Sequence, residues 1–516
     1  MDYYTQLIEE ITTDGIRDAG QFERRKIQLC RKYGLPSIPA NSEVLARTPE
    51  AVMSKVLPIV RLKPSRTISG IAALAVMTSP YNCPHGTCVY CPGGVANNSA
   101  QAYTGKEPAA RRAAMNDFDP YRQAISRIEQ FNAIGHSTNK IDLIIMGGTF
   151  TSRTKEYQEW FIRRTFDAMN SADSASIEEA HLLNEMGANR CIGMTIETRP
   201  DQLSEEQVES ILAMGATRVE MGVQAVFDDV LKKANRAHDV QCVMDSTARV
   251  KGKGLKVGYH MMPGLPGMTD EMELENFRRL FSDERFRPDM LKIYPTLIIE
   301  GTPLYEMHRK GLYSEFTLEK AVKLLAEVKR DIPRYVRIQR IQRDIPAPLI
   351  NAGVKKSNLR ELVKEEMKRK GWHCNCIRCR EVGHLGIDER SIQSSDVVLN
   401  EMDYRASGGN EMFLSFDLGD AIVGYLRLRL GGGEHAYIRE LKVFGRVVPV
   451  GEESHVEWQH RGYGSKLVAR AEEMAAERGY SRMRVTSGVG AREYYRKFGY
   501  DRDRSYMGKK LGASLP

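Results

Sequence analysis

Between residues 70 and 300 the chain repeats one pattern: short, nearly continuous apolar runs alternate with segments of helical period. The runs are Ile71–Thr78, Ile141–Met146, Cys191–Glu197, Thr217–Val223, Lys256–Met262 and Met290–Tyr294; helical candidates between them include 119–134 and 204–214. A run that is apolar on both faces and followed by a helix predicts a parallel strand covered on both sides. Six such units predict a partial (β/α)6 barrel within an α/β chain, with a doubly wound sheet as the alternative. Every run ends in a polar or glycine-containing segment: the loop holding Cys83, Gly147-Gly148, Glu197, Gln224, Pro263–Gly267 and Pro295-Thr296. In βα barrels the chemistry gathers at the C-terminal strand ends, so those segments are the expected site.

The flanks read differently. Residues 1–60 predict helices with a basic patch at Arg24–Lys32. Beyond about 390, Met412–Asp417, Ala421–Leu430 and Ala436–Gly445 predict antiparallel strands of an α+β domain. An amphipathic helix follows, with Leu467, Ala471 and Met474 on one face. The expected domains are 1–60, 61–333, a basic linker at 334–389, and 390–516.

The 516 residues carry a net charge of +8, from 75 basic and 67 acidic groups. Arg334–Arg380 alone holds 13 Lys/Arg against 4 Asp/Glu, a local 13 − 4 = +9. Such a field suits a polyanion partner, although 360–370 also has the period of a solvated helix. No apolar run approaches the roughly 18 residues of a membrane span, and the acidic start lacks a signal core. A reducing, cytoplasmic setting without membrane association is expected, and six of nine cysteines in two tight clusters suit metal binding better than disulfides.

Cys83, Cys88 and Cys91 form Cys-x4-Cys-x2-Cys. Three thiolates can hold three irons of a [4Fe–4S] cube and leave the fourth open to S-adenosylmethionine (SAM). By spacing alone, a zinc site with His85 as fourth ligand is the alternative. Cys374, Cys376 and Cys379 form Cys-x-Cys-x2-Cys and predict a structural zinc completed by His373, His384 or water. Gln459-x-x-Gly462-x-Gly464, opening the amphipathic helix after strands, predicts a pyrophosphate turn.

The order of strands, pyrophosphate turn, helix, strand and aromatic-rich helix resembles a GCN5-related acetyltransferase (GNAT). Lys63–Gly70, Cys83–Gly94, Tyr103–Ala109, Met146–Phe150, Ile196–Asp201, Leu291–Thr296, Gln342–Leu349, Arg380–Gly383 and Ser487–Tyr500 add to it. Together they resemble the Elongator catalytic subunit family from about residue 60 to the C-terminus, in its bacterial or archaeal form. The resemblance implies a radical-SAM barrel joined to a GNAT domain, and a tRNA uridine carboxymethyltransferase as the activity. The radical from SAM would take hydrogen from the acetyl methyl of acetyl-CoA. The resulting carbon radical would add to C5 of the wobble uridine; loss of an electron and a proton, with hydrolysis of the thioester, would leave 5-carboxymethyluridine. A protein lysine acetyltransferase is the alternative. The implied partners are tRNA, acetyl-CoA, SAM and an electron donor. The implied roles place the cluster on Cys83, Cys88 and Cys91, and SAM against Gly147, Gly148, Glu197 and Gln224. Acetyl-CoA would meet Lys140, Glu440, Leu441, Lys442, Val443, Gln459, Gly462, Tyr463, Gly464, Ser465 and Tyr495. Lys140, Tyr494 and Tyr495 are the catalytic candidates.

Overall fold

A computed structural model describes residues 1–387, 392–431, 433–445 and 462–512. The predicted runs become a single parallel sheet. Its strands are β1 (Ala72–Met77), β2 (Lys140–Met146), β3 (Arg190–Thr198), β4 (Arg218–Gln224), β5 (Lys256–Met261), β6 (Met290–Ile293) and β7 (Arg337–Arg340). They lie in sequential order, and β1 does not pair with β7, so the sheet is an open half-barrel. The seventh strand exceeds the six expected and falls in the stretch read as a linker. Its sequence, Arg-Ile-Gln-Arg, is polar because Arg337 is spent on a 2.9 Å ion pair with buried Glu381. Several helices outside the sheet start where the sequence provides caps. Asp119 accepts from the Arg122 amide, and Ser204 closes a capping box with Gln207.

The second sheet is mixed and runs β13-β14-β12-β11-β10-β9-β8. Its strands are β8 (Val398–Ala406), β9 (Gly409–Leu418), β10 (Ala421–Leu430), β11 (His435–Val443), β12 (Arg482–Val485), β13 (Asp501–Asp503) and β14 (Tyr506–Lys510). Among the described strands of this sheet, only β11 and β12 pair in parallel. The helix Tyr463–Glu477 buries Leu467, Ala471 and Met474, as its period predicts. The four N-terminal helices, spanning Tyr3–Val60, pack around an apolar cluster of their own that includes Leu7, Phe22, Leu29, Val44 and Val56.

The seam between the sheets is charged and dry. Arg439 of β11 donates to Asp289, just before β6, at 2.6 and 2.9 Å, to Glu411 of β9 and to the Leu255 carbonyl. Arg427 reaches Glu440 at 2.9 Å and the Tyr335 carbonyl at 2.7 Å. Arg427, Arg439, Asp289 and Glu411 are wholly buried, which is tolerable only because each charge is paired.

Candidate active site

The loop after β1 carries the first cysteine triad to the C-terminal ends of the strands. The three cysteines line a pocket of 590 Å³ with Gly148, Glu197 and Gln224. Gly147 beside it has φ +137°, and a Cβ there would stand 1.9 Å from Thr78 Oγ1. No other residue fits that approach. Cys88 Sγ accepts from Arg236 at 3.2 Å and lies 3.2 Å from His85 Nε2. Burial opposes ionisation of this thiol, but Arg236 and His85 outweigh it and bring it down to about 6. Cys91 Sγ accepts from the Ala102 amide at 3.2 Å.

The three sulfurs are not gathered within 4.8 Å of one another, as one metal ion would require. They share a pocket with buried polar atoms that have no hydrogen-bond partner: Gln224 Oε1, His85 Nδ1, Tyr90 Oη and Arg236 Nε. Gln224 also holds φ +73°, a strained conformation for its residue type. Spread thiolates, free polar atoms and a strained residue fit a cluster with a polar ligand beside it. Glu197 accepts from Tyr103 Oη at 2.8 Å and from Lys292 at 3.2 Å.

A larger pocket, 1710 Å³, opens at the opposite, N-terminal ends of β2–β5, against the second sheet. It brings together Lys140, Glu440–Val443, Gly464, Tyr494 and Tyr495. Lys140 is the first residue of β2, at the far end from Gly147. The β11–β12 pairing stops at Ile438, so the two strands diverge where Glu440–Val443 meets the pocket. Gly464 lets Tyr494 close on the helix start; a Cβ there would be 2.3 Å from the phenol oxygen. Burial pushes Tyr494 up to about 12 and Lys442 down to about 8. Burial favours the neutral form of Glu440, but Lys256 and Arg427 hold it down to about 2. Gly462, Tyr463 and Ser465 stand at the helix start without lining the pocket, Tyr463 being buried against Phe416. Gln459 lies outside the described residues.

The second cysteine triad is separate and closed. The sulfurs of Cys374, Cys376 and Cys379 lie within 4.8 Å of one another, and among the described residues no histidine joins the group. Lys329, itself buried, donates to Cys374 at 3.2 Å and Cys379 at 3.4 Å. His373 is exposed and His384 turns to Glu381. Three converging thiolates with a neutralising ammonium fit a single ion.

Several site residues were not singled out from sequence: Arg236, His260, Lys292, Asp142 and Lys256. Four of them sit inside strands, and a polar residue at a strand position was their only signal.

An iron–sulfur half-barrel docked on an acetyltransferase sheet defines a two-site radical-SAM protein. Family comparison agrees: the ELP3 N-terminal domain matches residues 1–68, the Radical SAM superfamily 77–280, the Radical_SAM C-terminal domain 288–369 and the Acetyltransferase (GNAT) family 385–500. The chain belongs to the Elongator complex protein 3 family. It is 46% identical over 523 residues to a tRNA uridine(34) acetyltransferase of Methanocaldococcus infernus, covering 98% of both chains. It is 42% identical to human Elongator complex protein 3, covering 94% of this chain and 92% of that one. A solved M. infernus Elp3 lacking residues 1–46 superposes with a TM-score of 0.76 at 45% identity, covering 86% of this chain and all of that one.

Proposed function

We propose that this chain modifies uridine 34 of tRNA, building 5-carboxymethyluridine with the acetyl methyl of acetyl-CoA as its carbon source. The observation that carries the reading is the pairing of two pockets on one barrel, one lined by the open cysteine triad and the other by the diverging strands of a GNAT sheet. A [4Fe–4S] cluster holding SAM supplies a radical able to take hydrogen from an unactivated methyl group.

The chain's own groups do the rest. Cys83, Cys88 and Cys91 hold the cluster, with Arg236 balancing the charge on Cys88. Glu197, Gln224 and the glycine turn at 147–148 orient SAM. Glu440–Val443 offers backbone to the pantetheine arm, and the start of the Tyr463–Glu477 helix faces the pyrophosphate. Lys140 and Lys442 add positive charge, and Tyr494 and Tyr495 bracket the acetyl end. Cys374, Cys376 and Cys379 hold zinc and fix the segment after β7. Exposed Lys355, Lys356, Lys364, Lys368 and Arg369 form the tRNA surface, so affinity should fall steeply with salt and with charge reversal there. A base extruded from the single-stranded anticodon loop is within reach of such a site. An external electron donor completes the cycle.

The test uses acetyl-CoA labelled with 13C on the acetyl group, with SAM, tRNA and reductant under anaerobic conditions. Mass spectrometry of digested nucleosides should find the label in carboxymethyluridine. Product without label, or product with acetyl-CoA omitted, overturns the mechanism. Label found only on lysine side chains makes the chain a protein acetyltransferase.

A further inference from the structure

The two pockets lie at opposite ends of the same strands, and a thin layer of side chains divides them. β4 gives Arg218 to the lower pocket and Glu220 to the upper one. Two residues apart, they share one face of the strand and stand roughly 7 Å from each other. β3 repeats the arrangement, with Gly193 below, Glu197 above and Thr195 between them. Strand register sets Thr195 beside Arg218, and Glu197 beside Glu220.

Barrel interiors are ordinarily filled with bulky branched side chains. This column carries glycine, hydroxyl and charge instead. Arg218 donates to Asp142 at 3.1 Å, and its Nε lies 3.4 Å from Glu220 Oε1. Glu220 also binds Lys292, and His260 at 3.1 Å. Glu197, Glu220 and His260 converge closely enough to hold a metal ion, but the Lys292 ammonium, bonded to both carboxylates, already supplies the cation. The join between the pockets is loose. Arg218 Nε and Glu220 Oε1 meet as an ion pair at 3.4 Å without a hydrogen bond, and Thr195 Oγ1 is buried with no hydrogen-bond partner. A long ion pair beside an unsatisfied hydroxyl suits a contact that parts.

The geometry points to Arg218 and Glu220 as a gate through which the acetyl end of acetyl-CoA, bound in the lower pocket, passes along β3 and β4 into the upper one. This rests on reading the lower pocket as the acetyl-CoA site. A small uncharged thioester fits a column floored by Gly193 and Thr195. When the column is empty, the ion pairs close it and separate the two pockets.

The gate is tested on reduced, cluster-free protein with bromoacetyl-CoA, whose CH2 carbon is attacked by a thiolate with loss of bromide. Peptide mass spectrometry maps alkylation of Cys83, Cys88 and Cys91. Bromoacetamide, free to enter from the upper mouth, reports the accessibility of the same thiols. The CoA reagent should label the triad in the unsubstituted protein, and excess CoA should suppress that labelling at least tenfold. Thr195→Leu, which fills the column, should reduce it at least fivefold with bromoacetamide labelling unchanged. Arg218→Met, similar in length and uncharged, should raise it at least twofold. Equal labelling with and without Thr195→Leu, or labelling that CoA does not suppress, overturns the gate. Should Thr195→Leu alter bromoacetamide labelling, and so the fold, Arg218→Met decides: labelling that does not rise overturns the proposal. Calorimetry separates the two readings. Protein that binds acetyl-CoA but leaves the triad unlabelled sinks the gate alone; protein that binds none sinks the assignment of the lower pocket.

Discussion

The triads Cys83/Cys88/Cys91 and Cys374/Cys376/Cys379 share residue type and a final Cys-x2-Cys, yet the fold surrounds them in opposite ways. The second is drawn together and backed by a buried lysine. The first is spread around a pocket and supported by Arg236 and His85, with unpaired polar atoms facing the same space. Zinc, with bonds of about 2.3 Å in a tetrahedron, needs its sulfurs within about 4 Å of each other. A cube gives each thiolate its own iron and sets them wider. Sequence spacing alone does not separate these outcomes. The packing around the sulfurs is what supports the proposed zinc at the second triad and cluster at the first.

The contrast is broken most directly by exchanging its losses. Cys88→Ala should abolish iron loading on anaerobic reconstitution and all tRNA modification, with zinc content unchanged. Iron and sulfide analysis with visible absorption checks this, and an intact cluster spectrum in the variant would falsify the assignment. Cys376→Ala should do the reverse. Zinc is lost, iron loading at the first triad survives, and stability falls by about 3 kcal/mol through the linkage of metal binding to folding. Metal analysis and denaturant unfolding measure it. Lys329→Met should weaken zinc binding by about tenfold, the effect expected for a group that orients or neutralises metal ligands. A chelator competition reads it, and unaltered affinity would make the lysine mere packing.

The smallest effect separates two lysines, buried Lys329 and half-buried Lys442. Burial lowers Lys329, but the neighbouring thiols outweigh it and raise it, so it keeps its proton. Burial brings Lys442 down to about 8. The protonated form favours the anionic ligand, so acetyl-CoA affinity should fall as pH rises through 8, by about threefold, with zinc content unmoved. Lys442→Met should bind more weakly and lose that slope in calorimetric titrations across pH 7–9.

The strands β1–β6 were legible as short apolar-rich runs set between helical segments, although β4 and β5 carry charge and glycine on one face, at Arg218, Glu220 and Gly222 and at Lys256, Gly258 and His260. β7 was not, because Arg337-Ile-Gln-Arg340 buries only Ile338 and satisfies its charge through Glu381. β8, an edge strand left half exposed, has no clean alternation to read. In the site, the cysteines, Gly147, Glu197 and Gln224 were legible as strand-end residues. Arg236, Lys292 and Asp142 were not, since their work depends on what neighbouring strands bring opposite them. Lys140 and Tyr495 followed from family resemblance alone; nothing in their local spacing marks them.

The dry seam of Arg439, Arg427, Asp289 and Glu411 makes the two halves one thermodynamic object. Arg439 takes its neutralising charge from both sheets, so separating them would strand it without half its partners, at a cost of about 3–5 kcal/mol. Heating should therefore melt barrel and acetyltransferase sheet in a single transition. A fragment cut at 390 would not be a smaller enzyme. It would be a sheet whose Arg439 and Arg427 keep Glu411 and Glu440 but lose Asp289, on a surface the barrel otherwise covers, and its acetylation of added proteins would say little about the intact chain.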